Sequence, residues 1–277
     1  MRRIVGGLAA LALSFAGLIG TATPAQAVAP QTITVNRYAA LGDSFAAGYG
    51  LPSKSDPASQ LCARSNLAYP ELLNGFPKLK NLDFVACSGS TTTDVLTGQL
   101  AGLSASTRTV TLTVGGNDLG FGELACLQTG CDLTPLIAAA SPALATLAAG
   151  PAVPGSLSGL LVAIHARAPQ ARIFVTGYPK LFGTASKIYG TRTACPVPLA
   201  ARTAVNSLVG SLNSVITGAV AGVRAAGVDV VYVGVAGAFA QHGVCDSRVP
   251  FISTVLHPNL LGQATYATAL TVKGVTR

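Results

Sequence analysis

Five runs rich in Val, Ile, Leu, Phe, Tyr and Thr punctuate the chain: "RYAALG" (37–42), "NLDFVAC" (81–87), "RTVTLTVGG" (108–116), "ARIFVTGYP" (171–179) and "VDVVYVGV" (228–235). They are nearly continuous rather than alternating, as expected of strands buried on both faces of a parallel sheet. Helix-compatible segments fill the intervals: 92–103, an Ala/Leu-rich region over 133–168, and 199–226. The last carries Val205, Leu208, Val209, Leu212, Val215 and Ile216 at helical spacing. A final helix is predicted over roughly 258–271, with Pro258 suited to its first turn. The alternation predicts an α/β fold, a three-layer α/β/α sandwich around a five-stranded parallel sheet. Right-handed crossovers then bring the carboxyl ends of the strands to one rim, where sites form.

The first 27 residues stand outside this pattern. Arg2 and Arg3 precede an apolar run, "IVGGLAALALSFAGLIG", and "AQA" at 25–27 is a small-x-small cleavage site. This reads as a secretory signal peptide, so residues 28–277 form one expected domain of 250 residues and the protein is expected outside the cell. No later apolar run is both long enough and free enough of polar interruptions to be expected to span a bilayer. The leader holds two of the 18 basic and none of the 10 acidic residues, leaving the remainder at +6. Such a balance suits an anionic surface, such as a phospholipid interface or cell-wall polymer, but simple solubility is the default reading of a mild charge on an exported chain. Basic clusters with interleaved aromatics are missing, which argues against nucleic acid.

Six cysteines, Cys62, Cys87, Cys126, Cys131, Cys195 and Cys245, are an even set in an exported chain and read as disulfides. Six allow about 15 pairings, and the sequence does not choose among them. Pairing neighbours, Cys62–Cys87, Cys126–Cys131 and Cys195–Cys245, would staple three separate loops. Their spacings match no zinc pattern, and no metal or cofactor is expected.

Three predicted strands deliver small or polar residues to the rim: "GDS" at 42–44, "GS" at 89–90 and "GGND" at 115–118. Both nucleotide-binding glycine fingerprints are missing after the first strand. Ser44 alone reads as a helix cap, since serine is a favoured N-cap. A nucleophile at a helix start would also gain from the positive end of the dipole, so the two readings are compatible. A nucleophilic serine needs a base, and the chain offers His165, His242 and His257. His165 reads as a solvated helix position and His242 as a loop residue beside Cys245. His257 follows the last strand, where a loop can return to the rim.

In this order and setting, "GDS" (42–44), "CSGS" (87–90), "GGND" (115–118) and "HPN" (257–259) resemble the GDSL/SGNH hydrolases, in particular the secreted lipase and esterase branch of actinobacteria. "CARSNLAYP" at 62–70 resembles a block that follows the nucleophile motif in that branch. The resemblance implies the flavodoxin-like SGNH fold and an acyl-ester hydrolase working through an acyl-enzyme. Ser44 would be the nucleophile and His257 the base. The Ser44 and Gly89 backbone N–H groups and the Asn117 side-chain amide would form the oxyanion hole. The bland alternatives are a turn residue for Asn117 and a special backbone angle for Gly89.

One position departs from the pattern. The family usually has aspartate three residues before the histidine; here Thr254 stands there. The expectation is a Ser–His dyad, with a backbone carbonyl near Thr254 or Val255 orienting the ring, and Asp246 the less favoured substitute. An α/β-hydrolase elbow and a His-Glu-x-x-His metal site are both missing from the mature chain. Leu119 and Phe121 would begin an acyl groove or ordinary core, and the small residues after Ser44 would leave room for an ester. The expected partner is an ester or lipid, met at an interface by a monomer. The competing readings are a phospholipase A1-like enzyme, a short-chain carbohydrate acetyl esterase, and a non-catalytic cell-wall or carbohydrate-binding module.

Overall fold

Apolar strands of the predicted kind pair side by side into a five-stranded, all-parallel sheet in the order β2-β1-β3-β4-β5. The computed structural model describes residues 36–277 apart from Thr129 and Cys131. The expected signal peptide and the Cys126–Cys131 bridge therefore lie outside the described residues. The strands are β1 (Asn36–Gly42), β2 (Leu79–Phe84), β3 (Thr107–Thr113), β4 (Arg172–Thr176) and β5 (Val230–Val233). In β1, Tyr38, Ala39, Ala40 and Leu41 are wholly buried, which is why this run carries no polar alternation. At the edge, β2 exposes Lys80 and Asn81, and its Asp83 pairs with Arg37 at 2.7 Å. Charge there discourages pairing with another chain.

Between β1 and β2 lie three short helices, α1 (Ser44–Ala47), α2 (Pro57–Leu61) and α3 (Tyr69–Asn74). After β2 come α4 (Thr92–Asp94), a π-helical turn (Val95–Gln99) and a 3₁₀ turn (Leu100–Gly102), so the helix predicted over 92–103 is three irregular pieces. The region 133–168 divides into α5 (Thr134–Ala148) and α6 (Leu157–Arg167), with Ser156 capping the second through Gly159 N–H at 3.1 Å. Helix α7 (Leu199–Ala225) and helix α8 (Leu260–Val272) complete the chain. Helices α5, α6 and α7 pack on one another, while α3 pairs with α8, where Tyr69 stacks on Tyr266. By length and composition α7 could cross a membrane, contrary to the expectation from the sequence. Its stripe of Val205, Val209, Leu212 and Ile216 is instead buried in the core.

Strand order 2-1-3-4-5 puts the reversal of the winding at β1 and β3, and the crevice beyond their carboxyl ends is where such sheets hold a site. Two covalent braces lie near that rim. Cys62 bonds Cys87, tying the end of α2 to the segment that follows β2, and Cys195 bonds Cys245. The Cys62–Cys87 loop spans 25 residues, so losing it releases about 3 kcal/mol of unfolded-state constraint. A Cys62→Ala/Cys87→Ala double variant is expected to melt roughly 6–12 °C lower in differential scanning calorimetry.

Candidate active site

The carboxyl end of β1 cannot run straight on. Gly42 takes φ +130°, and a Cβ there would overlap the Thr113 carbonyl of β3. Asp43 then caps α1, its carboxylate accepting from Phe45 N–H at 2.9 Å. The cap is therefore Asp43 and not Ser44, which is the first helical residue. Ala46 and Ala47 are fully buried beneath it, so their smallness serves packing rather than room for an ester. Gln263 of α8 holds this turn from behind, donating to the Phe45 carbonyl at 3.1 Å and accepting from Tyr69 N–H at 2.9 Å.

His257 reaches the rim from the opposite end of the chain. Its Nε2 lies 2.7 Å from Ser44 Oγ, and its Nδ1 lies 2.7 Å from the Val255 carbonyl oxygen. A carbonyl can only accept, so Nδ1 carries the proton and Nε2 is left to accept from the serine hydroxyl. Leu256 makes this possible by adopting φ +60°, a left-handed turn that folds the Val255 carbonyl back under the ring. Ser253 secures the turn, donating to the His257 carbonyl through both N–H (2.8 Å) and Oγ (3.0 Å). Asn259 caps α8 through Gly262 N–H at 3.1 Å and donates to Pro250 O at 2.8 Å, which accounts for the asparagine of "HPN". The imidazole lies between Phe45 and Tyr49, with ring centroids 5.0 and 4.8 Å away. Burial pushes its pKa below the ordinary value, partly offset by the bond to the Val255 carbonyl.

Gly89 and Asn117 line the same cavity, of about 290 Å³, as Ser44 and His257. Gly89 has φ +86°, an angle that favours glycine. Neither its amide nor that of Ser44 donates to another group among the described residues. Asn117 Nδ2 spends one proton on the Ser90 carbonyl at 2.9 Å, leaving the second available. Asp118 fixes the neighbouring loop by accepting from Thr92 N–H at 3.0 Å. Apolar walls come from Phe121, Leu124, Leu181 and Leu256. Leu119, the other residue considered for an acyl groove, turns to a separate pocket with Asp118 and Leu136.

The remaining candidates lie elsewhere. His165 is on α6, and His242 stacks on Phe251 with Nδ1 2.7 Å from Val249 O. Asp246 accepts from Gly243 and Ser247 N–H groups in the Cys245 loop. Sequence reasoning missed Asp43, Gln99 and Tyr178, three buried polar residues at the site. Tyr178 donates to the Asp43 carboxylate and its hydroxyl accepts from Gly116 N–H at 3.1 Å. The only signal was position, since "GYP" follows β4 onto the rim.

A buried serine paired with a carbonyl-anchored imidazole, on the carboxyl rim of a 2-1-3-4-5 sheet, is an arrangement chemically able to carry out acyl transfer. Over residues 40–265 the chain matches the GDSL-like lipase/acylhydrolase family, and it belongs to that family. It is similar to Lipase 1 of Streptomyces coelicolor, 33% identical over 275 residues covering 95% of this chain and 94% of that one. A lipase of Streptomyces rimosus is 34% identical over 252 residues, 86% of each chain. Among solved structures, the extracellular lipase of S. rimosus superposes with a TM-score of 0.69 at 30% identity, covering 86% of this chain and 99% of that one. The phospholipase A1 of Streptomyces albidoflavus NA297 gives 0.69 at 35% identity, covering 87% and 100%. The protein is an acyl-ester hydrolase.

Asp43 also carries a consequence for stability. Burial pushes its carboxyl up to about 7 from an ordinary 3.8, against the lowering effect of its bonds from Tyr178 and Phe45. Between those values the folded state holds a proton that the unfolded state releases, so folding stability falls as pH rises from 4 to 7 and levels above it. Asp43→Asn removes this dependence. Urea midpoints are expected to show the variant gaining on wild type by up to about 1.4 kcal/mol per pH unit across that window, and holding a constant difference above pH ~8.

Proposed function

We propose that the chain is a secreted serine lipase or esterase in which Ser44 and His257 act as a dyad. The observation that carries this reading is the continuous relay from Ser44 Oγ to His257 Nε2 and from Nδ1 to the Val255 carbonyl, both links 2.7 Å. His257 takes the Ser44 proton as Oγ bonds to the ester carbonyl carbon. The carbonyl oxygen becomes an anion among the Ser44 and Gly89 amides and the free Asn117 proton. Collapse expels the alcohol, protonated by His257 Nε2–H, and leaves Ser44 acylated. Water then attacks the acyl-enzyme, giving its proton to His257, and the second collapse releases the acid and restores the serine hydroxyl. The Val255 carbonyl does the orienting work that a carboxylate does in a triad.

Secretion is supported by the residues 1–27 leader pattern, the two disulfides among the described residues and the extracellular S. rimosus relative. The apolar walls of the cavity favour fatty acyl esters over acetylated sugars. A phospholipase A1 activity is the second reading, favoured by similarity to the S. albidoflavus enzyme and by the basic sequence.

Hydrolysis of nitrophenyl esters from acetyl to palmitoyl tests the proposal. Ser44→Ala and His257→Ala are expected to lose at least ~10³-fold in kcat, and Asn117→Ala about 10²–10³-fold. Wild-type inactivity on the whole series, or full activity in Ser44→Ala, overturns it. The base must be neutral, and burial holds the imidazolium off, so the acid limb of kcat/KM is expected at a midpoint below the ordinary histidine value of 6.5. A midpoint above that value in a pH–rate profile contradicts the buried-base reading.

A further inference from the structure

The three loops of the oxyanion site come from different strands, yet a single closed circuit of hydrogen bonds, completed by short covalent steps through Ser90, Gly116–Asn117 and Gly42–Asp43, joins them. It starts at Gly42, whose N–H donates to Gln99 Oε1 and whose carbonyl accepts from Gln99 Nε2, both at 2.8 Å. The same Nε2 reaches Ser90 Oγ at 3.1 Å. Ser90 O accepts from Asn117 Nδ2 at 2.9 Å. Next to Asn117, Gly116 N–H donates to the Tyr178 hydroxyl at 3.1 Å, and that hydroxyl donates to Asp43, the covalent neighbour of Gly42.

Each oxyanion donor is therefore either a member of the ring or adjacent to one: Ser44 follows Asp43, Gly89 precedes Ser90, and Asn117 is itself a link. The side chains that close the ring are 5% exposed at Gln99, 8% at Ser90 and 1% at both Asp43 and Tyr178. Water cannot readily substitute for bonds so deeply placed, and an unmet partner there is costly. Gln99 is the last residue of the π-helical turn, an irregularity that recurs at functional sites. Tyr178 is in turn clamped to α7 by Asn213, which accepts from its N–H and donates to its carbonyl, each at 2.8 Å.

We propose that Gln99 and Tyr178 are positioning residues for acyl transfer, closing a hydrogen-bonded ring that holds the Ser44, Gly89 and Asn117 donors at one spacing. This rests on the dyad mechanism above. Neither side chain is hydrogen-bonded to Ser44 or His257, although Tyr178 lies in the wall of the cavity. Both act by fixing where the donors stand, and so matter most when the carbonyl oxygen becomes charged.

The test uses Tyr178→Phe, which removes one oxygen and keeps the ring packed on Phe45, and Gln99→Met, which keeps the shape and removes the bonds. Each is expected to lower kcat on nitrophenyl butyrate at least fivefold, with KM changed less than threefold. Affinity for an alkyl trifluoromethyl ketone, whose adduct on Ser44 places an oxyanion in the hole, should fall by a similar factor. In an Asn117→Ala background the further loss should be under threefold, because residues acting through one group are not additive. Ser90→Ala replaces any variant that circular dichroism shows unfolded. A loss below fivefold in a folded variant, or the full loss repeated without Asn117, overturns the ring. Inactive wild type, or an active Ser44→Ala enzyme, overturns the dyad instead.

Discussion

The proton on His257 Nδ1, given to the Val255 carbonyl, sets the state of everything around it. With that proton committed, Nε2 faces Ser44 as an acceptor, and the serine hydroxyl has one direction in which to donate. The left-handed Leu256, the two Ser253 bonds to the His257 carbonyl and the Asn259 cap of α8 all keep the carbonyl beneath the ring. A carbonyl has less charge to offer an imidazolium than a carboxylate has. Burial between Phe45 and Tyr49 works in the same direction, disfavouring the imidazolium and so leaving Nε2 able to accept.

Sheet topology explains why so few residues suffice. The order 2-1-3-4-5 opens a crevice at β1 and β3, and the turn after each strand is forced sharply aside by glycine. Gly42 permits the close approach of β1 to β3 that starts α1 at Ser44, and Gly115 and Gly116 let Asn117 approach from the other side. Cys87 anchors the third loop to Cys62 just before Gly89. A rigid rim presents the groups and the helices behind it supply the burial.

Much of this was legible in the chain. The runs at β1, β3 and β4 are buried almost throughout and do not alternate, so the strand number and parallel pairing follow from pattern, whereas the edge strand β2, with Lys80 and Asn81 exposed, and the 2-1-3-4-5 order do not. Ser44, Gly89, Asn117 and His257 were readable because each sits in a short motif at a strand end or after the last strand. What was not readable depends on contacts distant in sequence. Asp43 and Tyr178 are 135 residues apart, and nothing near either announces the other. The π-helical turn at 95–99 looks like ordinary helix until Gln99 is seen bonded to Gly42, 57 residues away. The Thr254 and Val255 carbonyls were indistinguishable as acceptors for the His257 ring, because the choice rests on a left-handed Leu256. Helices α2 and α3 were missed although Asp56-Pro57 is a cap followed by a first-turn proline.

Under the proposed mechanism Ser44 is the nucleophile because His257 activates it. Labelling with a nitrophenyl alkylphosphonate, followed by peptide mass mapping, tests it most directly. One phosphonyl group on the Ser44 peptide, appearing in step with the loss of esterase activity and at least ~100-fold more slowly in His257→Ala, is the result predicted. A label on any other residue, or full esterase activity in protein completely labelled at Ser44, would contradict it.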